Sequence, residues 1–126
     1  MGGCCASKRL LRRFMSMSPN GFTVDIVNWN HVDELSACLR SLYDGGADAV
    51  QVVVVDNGSA DGSVAMVQRD FPRVELIETG ANLGLVGGVE RGIAAARGEW
   101  LMTLNNDAAL IGDGRLQSPC GAHVRA

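Results

Sequence analysis

The stretch that most constrains the fold is Gln51-Val-Val-Val-Val-Asp-Asn-Gly-Ser-Ala-Asp-Gly-Ser63. Four β-branched valines run without a polar break, and turn-forming residues follow at once. A short valine run bounded in this way predicts a strand covered on both faces, as in a parallel sheet. Asp56 would then stand at the carboxyl end of that strand, the edge where open α/β sheets bind ligands. Asn57, Gly58 and Ser59 form the turn, and Asp61 or Ser63 can cap the helix that leaves it. A carboxylate fixed there can accept hydrogen bonds from a base or a ribose. Equally, Asp56 and Asp61 can serve only to cap and turn the chain.

The flanking sequence alternates strand and helix. Phe22–Val27 reads as a first strand ending in Asn28-Trp29-Asn30. Asn30 is a suitable N-cap, and Asp33 and Glu34 occupy the first turn, where the helix dipole favours acids. Val32, Leu35, Cys38, Leu39 and Leu42 mark one face of a helix over 31–43, which Asp44-Gly45-Gly46 ends. After the valine strand, a second helix is expected from about Gly62 to Asp70, stopped by Phe71-Pro72. Val74–Thr79 is β-rich and follows a breaker, so it is a third strand. The next helix ends at Arg97, with Gly98 as its left-handed cap. Glycines 84, 87, 88 and 92 fall in this stretch, each costing about 1 kcal/mol relative to alanine in a helix interior. That cost implies close approach of backbone to a neighbouring strand or to a ligand phosphate. Their spacing is not a dinucleotide fingerprint. Trp100–Leu104 is a fourth strand, with Asn105-Asn106-Asp107 at its carboxyl end.

The resulting β-α-β-α-β-α-β order implies a parallel sheet with right-handed crossovers. Asp56 and Asp107 each end a strand and so share one edge of the sheet. Strand-end aspartates are also common turn formers.

Charge narrows the function classes. The net charge of −3 hides an asymmetry, because Lys8, Arg9, Arg12 and Arg13 give residues 1–21 a charge of +4 with no acid. The remainder holds seven basic and fourteen acidic residues, or −7. So acidic a body argues against a nucleic-acid partner, which needs clustered Lys and Arg for phosphate contacts. The first 21 residues read as a disordered leader, or as a start placed upstream of the true one near Met15 or Met17. The adjacent Cys4 and Cys5 before basic residues also suit palmitoylation with an electrostatic tether, although a myristoylation signal would want its hydroxyl at Ala6 rather than Ser7. Cys4, Cys5, Cys38 and Cys120 form no CxxC pair, which disfavours structural zinc and fits a reducing compartment. No apolar run reaches the roughly 18–20 residues of a membrane span.

Ile26-Val-Asn-Trp-Asn30, Val55-Asp-Asn-Gly-Ser-Ala-Asp-Gly-Ser63, Asn82-Leu-Gly84 with the glycine helix, and Leu104-Asn-Asn-Asp-Ala108 together resemble the family 2 inverting glycosyltransferases of GT-A fold. The flavour is that of the bacterial rhamnosyltransferase-like members, and the resemblance covers residues 22 to about 109. It implies the nucleotide-binding half of a GT-A, Rossmann-like α/β domain, with strand order 3-2-1-4. It implies further that Asp56 bonds the pyrimidine base of a sugar nucleotide, and that Asn28 and Asn30 line base and ribose. Asn82 and Gly84 would form the loop beside the nucleotide. Asp107 would be the ligand of Mg²⁺ or Mn²⁺ on the diphosphate, where a hard cation offsets charge on the leaving group. The implied activity moves a sugar from a UDP- or dTDP-sugar to a glycan or lipid-linked acceptor with inversion.

The chain departs from the family pattern in three places. Asn105 replaces the first carboxylate of the metal motif, and Glu90 stands where the family usually has Asn. The family also continues into an acceptor-binding half that carries a general base. Here residues 110–126 read as an irregular Gly/Pro-rich tail whose candidate bases are Asp113 and His123. The expectation is therefore a C-terminally truncated donor half over 22–109, cytoplasmic or peripheral at the inner face of a membrane. Its exposed face would favour association. The alternative is a non-catalytic remnant that binds nucleotide weakly or not at all.

Overall fold

The computed structural model describes residues 21–44, 50–107, 109–110, 116–117 and 122–125. Strand β1 (Phe22–Asn28), helix α1 (Val32–Asp44), strand β2 (Gln51–Asp56), helix α2 (Ser63–Asp70), strand β3 (Glu75–Glu78), helix α3 (Gly84–Ala95) and strand β4 (Trp100–Asn105) follow in the expected alternation. Short strands β5 (Ala109–Leu110), β6 (Leu116–Gln117) and β7 (Ala122–Arg125) come after them. The main sheet has the order β3-β2-β1-β4-β7, and its first four strands are parallel. The expected 3-2-1-4 order is thus the observed one. The basic leader, Asp113 and Cys120 lie outside the described residues.

The valine run explains itself in this sheet. Val52 and Val54 join Val24, Ile26, Leu35 and Leu39 in the core beneath α1 and α2. Val53 and Val55 project to the other face, in register with Asp25 and Val27 of β1, which α3 covers. All four valines are buried, and burial of each contributes about 1.5–3 kcal/mol. A polar residue anywhere in the run would forfeit that, which is why the run has no break.

Three local expectations are corrected. Asn30 does not cap α1: it takes a left-handed conformation at φ 55°, which Asn tolerates better than most side chains. Asp61, from the β2–α2 loop, accepts the Val32 N–H at 2.9 Å instead. Helix α3 ends at Ala95 rather than Arg97, and Gly98 is not a left-handed cap. Side chains of the neighbouring strands pull the chain off the helix there. Gln51 Oε1 accepts the Arg97 N–H at 2.8 Å, Glu75 holds the Arg97 guanidinium, and Thr23 Oγ1 accepts the Gly98 N–H at 3.0 Å. Finally, the tail expected to be irregular contributes β7, antiparallel to β4 from Leu101↔Arg125 to Leu104↔Ala122. An uncovered β4 edge offers unpaired N–H and C=O groups to any short extended segment, and four residues carry too little periodicity to read.

The α3 glycines divide between two roles. A Cβ at Gly88 would sit 2.5 Å from Val27 Cγ1, and one at Gly92 would overlap the Asp25 carboxyl. These two let the helix lie directly on β1. Gly84 is exposed and enters the helix at φ 75°.

Candidate functional site

The carboxyl ends of β1, β2 and β4 are tied together by a row of side-chain hydrogen bonds. Asn106 Nδ2 donates to Asn28 Oδ1 at 3.0 Å, and Asn28 Nδ2 donates to Asp56 Oδ1 at 3.1 Å and to Ser59 Oγ at 3.2 Å. Ser59 closes the turn by donating its hydroxyl to Asp56 Oδ1 at 2.6 Å and its N–H to Asp56 Oδ2 at 2.9 Å. The β1 and β2 loops are stapled further by Asn57 N to Asn28 O at 2.8 Å, Asn30 N to Ser59 Oγ at 2.9 Å and Ala60 N to Asn30 Oδ1 at 2.8 Å. On the other side, Asn57 Nδ2 donates to Gly84 O at 2.9 Å and Asn82 Oδ1 accepts the Gly84 N–H at 2.9 Å. The Asn82–Gly84 loop is thereby fixed to the same edge.

The sequence-predicted residues fall into two groups. Asn28 and Asp56 are buried, with exposures of 0% and 2%. Asn28 is engaged at both ends of its amide and acts on its neighbours. Asp56 receives three hydrogen bonds, two on Oδ1 and one on Oδ2, and a carboxylate has about four lone-pair sites, so acceptor capacity remains on Oδ2. Its turn-closing role and a binding role are thus compatible. Asn30, Asn82, Gly84 and Asp107 are exposed along the edge and offer their surfaces to solvent-side ligands. Sequence reasoning missed Ser59 and Asn106 as the links of the row. Both stand inside the quoted motifs, but their types alone read as turn residues.

The metal-ligating capacity is modest. Among the described residues no group of three or more His, Cys, Asp or Glu side chains converges. Asp107 offers one carboxylate beside the amides of Asn105 and Asn106, a hard oxygen donor set. Mg²⁺ and Mn²⁺ fit such a set, because these ions retain waters and take their remaining ligands from phosphate. Cys38 is fully buried and its thiol donates to the Asn105 carbonyl at 3.8 Å; burial, and then the Asp107 charge, push that thiol up to about 12.

Asp61 is the edge's main helix cap. Its Oδ2 accepts Val32 N–H at the start of α1, and its Oδ1 accepts the Ser63 N–H at 3.1 Å at the start of α2. Desolvation raises its carboxyl, but the hydrogen bonds from Ser63 and Val32 outweigh this and hold it below the usual range. Its contribution is therefore present above the unfolded-state pKa and lost as pH falls through the folded value. Asp61→Ala is expected to cost about 1–2 kcal/mol, measured by urea denaturation at pH 7, with the gap to the parent chain shrinking below pH 4. A gap that stays constant down to pH 2 would contradict the double cap.

The model for Glycosyl transferase family 2 matches residues 23–118, which takes in every residue of this edge. The chain belongs to glycosyltransferase family 2. Among its relatives in the family, the succinoglycan biosynthesis protein ExoO of Rhizobium meliloti is 37% identical over 86 residues, covering 68% of this chain and 25% of that protein. The N-acetylglucosaminyl-diphospho-decaprenol L-rhamnosyltransferase of Mycobacterium tuberculosis is 38% identical over 68 residues, covering 54% of this chain and 22% of its own length. Among solved structures, the mannosyltransferase PcManGT from Pyrobaculum calidifontis, in complex with GDP-Man and Mn²⁺, superposes with a TM-score of 0.65. It shares 26% identity over 73% of this chain and 29% of its own. Staphylococcus aureus TarS 1–349, in complex with UDP, superposes with a TM-score of 0.64 at 22% identity, covering 71% of this chain and 28% of its own, a likeness of fold. The chain spans about a quarter of the length of the curated relatives it matches. Among the described residues, no helix of this family 2 chain is long and apolar enough to cross a membrane.

Proposed function

We propose that the carboxyl edge of this sheet is the donor site of a sugar-nucleotide glycosyltransferase. The observation that carries the reading is the Asn106–Asn28–Asp56 row, which sets the Asp107 loop and the Asp56 turn in fixed relation on one edge. The remaining acceptor site of Asp56 suits the imide N–H of a uracil or thymine base. Asn28, held by Asn106, orients that carboxylate, and Asn30 lies beside it for the ribose. Asn82 and Gly84 line the nucleotide's other side. Mg²⁺ or Mn²⁺ on Asp107 would neutralise the diphosphate leaving group, in line with the Mn²⁺ and GDP-Man of the PcManGT complex. The donor is a UDP- or dTDP-sugar and the acceptor a glycan or lipid-linked glycan, in line with the rhamnosyltransferase relative. Transfer with inversion needs a general base in reach of the acceptor hydroxyl, and none of the edge residues is assigned that part.

Electron paramagnetic resonance of Mn²⁺ tests this reading. Added UDP is expected to quench the free-ion signal in the presence of the chain. Asp107→Ala is expected to weaken the apparent Mn²⁺ affinity at least tenfold and restore that signal, since it removes the single carboxylate of the set. An equal signal with both proteins would remove Asp107 from the metal site. The second reading is a non-catalytic nucleotide binder. It draws on the outer side of α3, where Leu85, Val86 and Ile93 are exposed, a surface suited to association. Release of nucleoside diphosphate from a sugar nucleotide, lost in Asp107→Ala, separates transfer from binding alone.

A further inference from the structure

Asp25 has no part in the edge. It lies in the middle of β1, between Val53 of β2 and Thr103 of β4, and its side chain is fully buried. Neither carboxyl oxygen has a hydrogen-bond partner. Above it lies Gly92 of α3, so close that any side chain there would overlap the carboxyl. An ionised carboxylate without partners in such a place is strongly disfavoured, whereas a protonated one is tolerable. The charged form can recover solvation only if α3 lifts and admits water.

We propose that Asp25 makes the seating of α3 on the sheet proton-dependent, so that the helix and the Asn82–Gly84 loop at its start are held down when the carboxyl is neutral and loosened when it is charged. The loop is carried along because Gly84 is the first residue of α3, so lifting the helix strains the Asn57 Nδ2–Gly84 O hydrogen bond that holds the loop to the sheet. The device does not depend on the donor-site reading, although that reading gives it a consequence.

The surrounding charges leave Asp25 without help. On α3, Glu90 and Arg91 flank Gly92 and are not buried. Among the described residues of β1 no other group titrates, and Val53 and Thr103 are uncharged. Two strands away in the same row, Glu75 of β3 registers with Val53 and is occupied with Gln51 and Arg97. His123 of β7 registers with Thr103, two strands from Asp25. Desolvation by burial alone raises the Asp25 carboxyl to about 7. A group raised in the folded state contributes stability that is complete below its unfolded pKa of about 3.9 and is lost as pH rises to the folded value.

Urea unfolding from pH 5 to pH 8, with hydrogen exchange of α3 amides referenced to α1 amides in the same chain, tests the device. The folding constant of the parent chain is expected to fall on the order of 50-fold between pH 5 and pH 7 through this one proton, and α3 to lose protection relative to α1 over the same range. Asp25→Asn keeps the shape without the charge, and Asp25→Val removes the polar group should the amide fold poorly. Both are expected to abolish this fall and to keep α3 protection level. Both histidines are common to all three proteins, so the difference between their curves isolates Asp25. Parallel pH curves for the parent and either folded variant, or α3 protection that tracks α1 throughout, would overturn the proposal.

Discussion

Asp56→Ala is expected to destabilise the chain by about 3 kcal/mol, because it strands three donors at once in a nearly closed site. Asn28 Nδ2, Ser59 N–H and Ser59 Oγ all converge on this carboxylate. Asn28 and Asp56 are buried, so water does not readily replace the lost partner. Beyond the bonds themselves, the β1 and β2 loops lose the link from which Ser59 reaches Asn30 N–H. Urea denaturation at pH 7 checks this, and a loss below about 1 kcal/mol, the level of an ordinary net hydrogen bond, would mean that the loops are held by their backbone contacts alone. For this reason Asp56 substitutions report folding and binding together, whereas exposed Asp107 allows the binding question to be asked of an intact fold.

The second large effect is expected at Gly92. Alanine in this position places a methyl on the Asp25 carboxyl, which is pinned in the middle strand of the sheet and cannot withdraw. Overpacking of this kind costs about 3 kcal/mol at the upper end of the usual range. Helix propensity works in the opposite direction, favouring alanine by about 1 kcal/mol, so the steric overlap outweighs it. Combining Gly92→Ala with Asp25→Ala removes the obstacle, and the pair is expected to recover at least about 1 kcal/mol relative to additivity. Thermal or urea unfolding of the four proteins of this cycle measures it. Strict additivity would show that the helix and β1 do not press on one another at this point.

The sequence is most legible where burial dictates residue type. The unbroken valines and the Leu35–Cys38–Leu39–Leu42 face of α1 lead directly to the parallel sheet, and Asp56 at the end of β2 with Asp107 just past β4 marks the edge proposed to take the ligand. Helix ends are less legible, because long-range side chains decide them. Asp61 caps α1 across 29 residues of sequence, and Gln51 draws Arg97 off α3 across 46. No local pattern around Asn30 or Gly98 records those partners. The glycine helix is legible as a place of close approach. That Gly88 and Gly92 approach β1 while Gly84 faces the edge requires the register of α3 on the sheet. Asp25 reads as an ordinary strand position, since Thr23 and Asp25 alternate with Val24 and Ile26 as they would on a strand with one face toward solvent. Only the covering helix makes it buried and unpartnered.

Calorimetric titration of the chain with UDP, dTDP and GDP, each with and without Mn²⁺, bears most directly on the proposal that this edge holds a sugar nucleotide through Asp56 and Asp107. The account predicts Mn²⁺-dependent heat with UDP or dTDP, weakened at least tenfold in Asp107→Ala, which removes the metal's one carboxylate. A folded chain that gives no heat with any of the three nucleotides would contradict it.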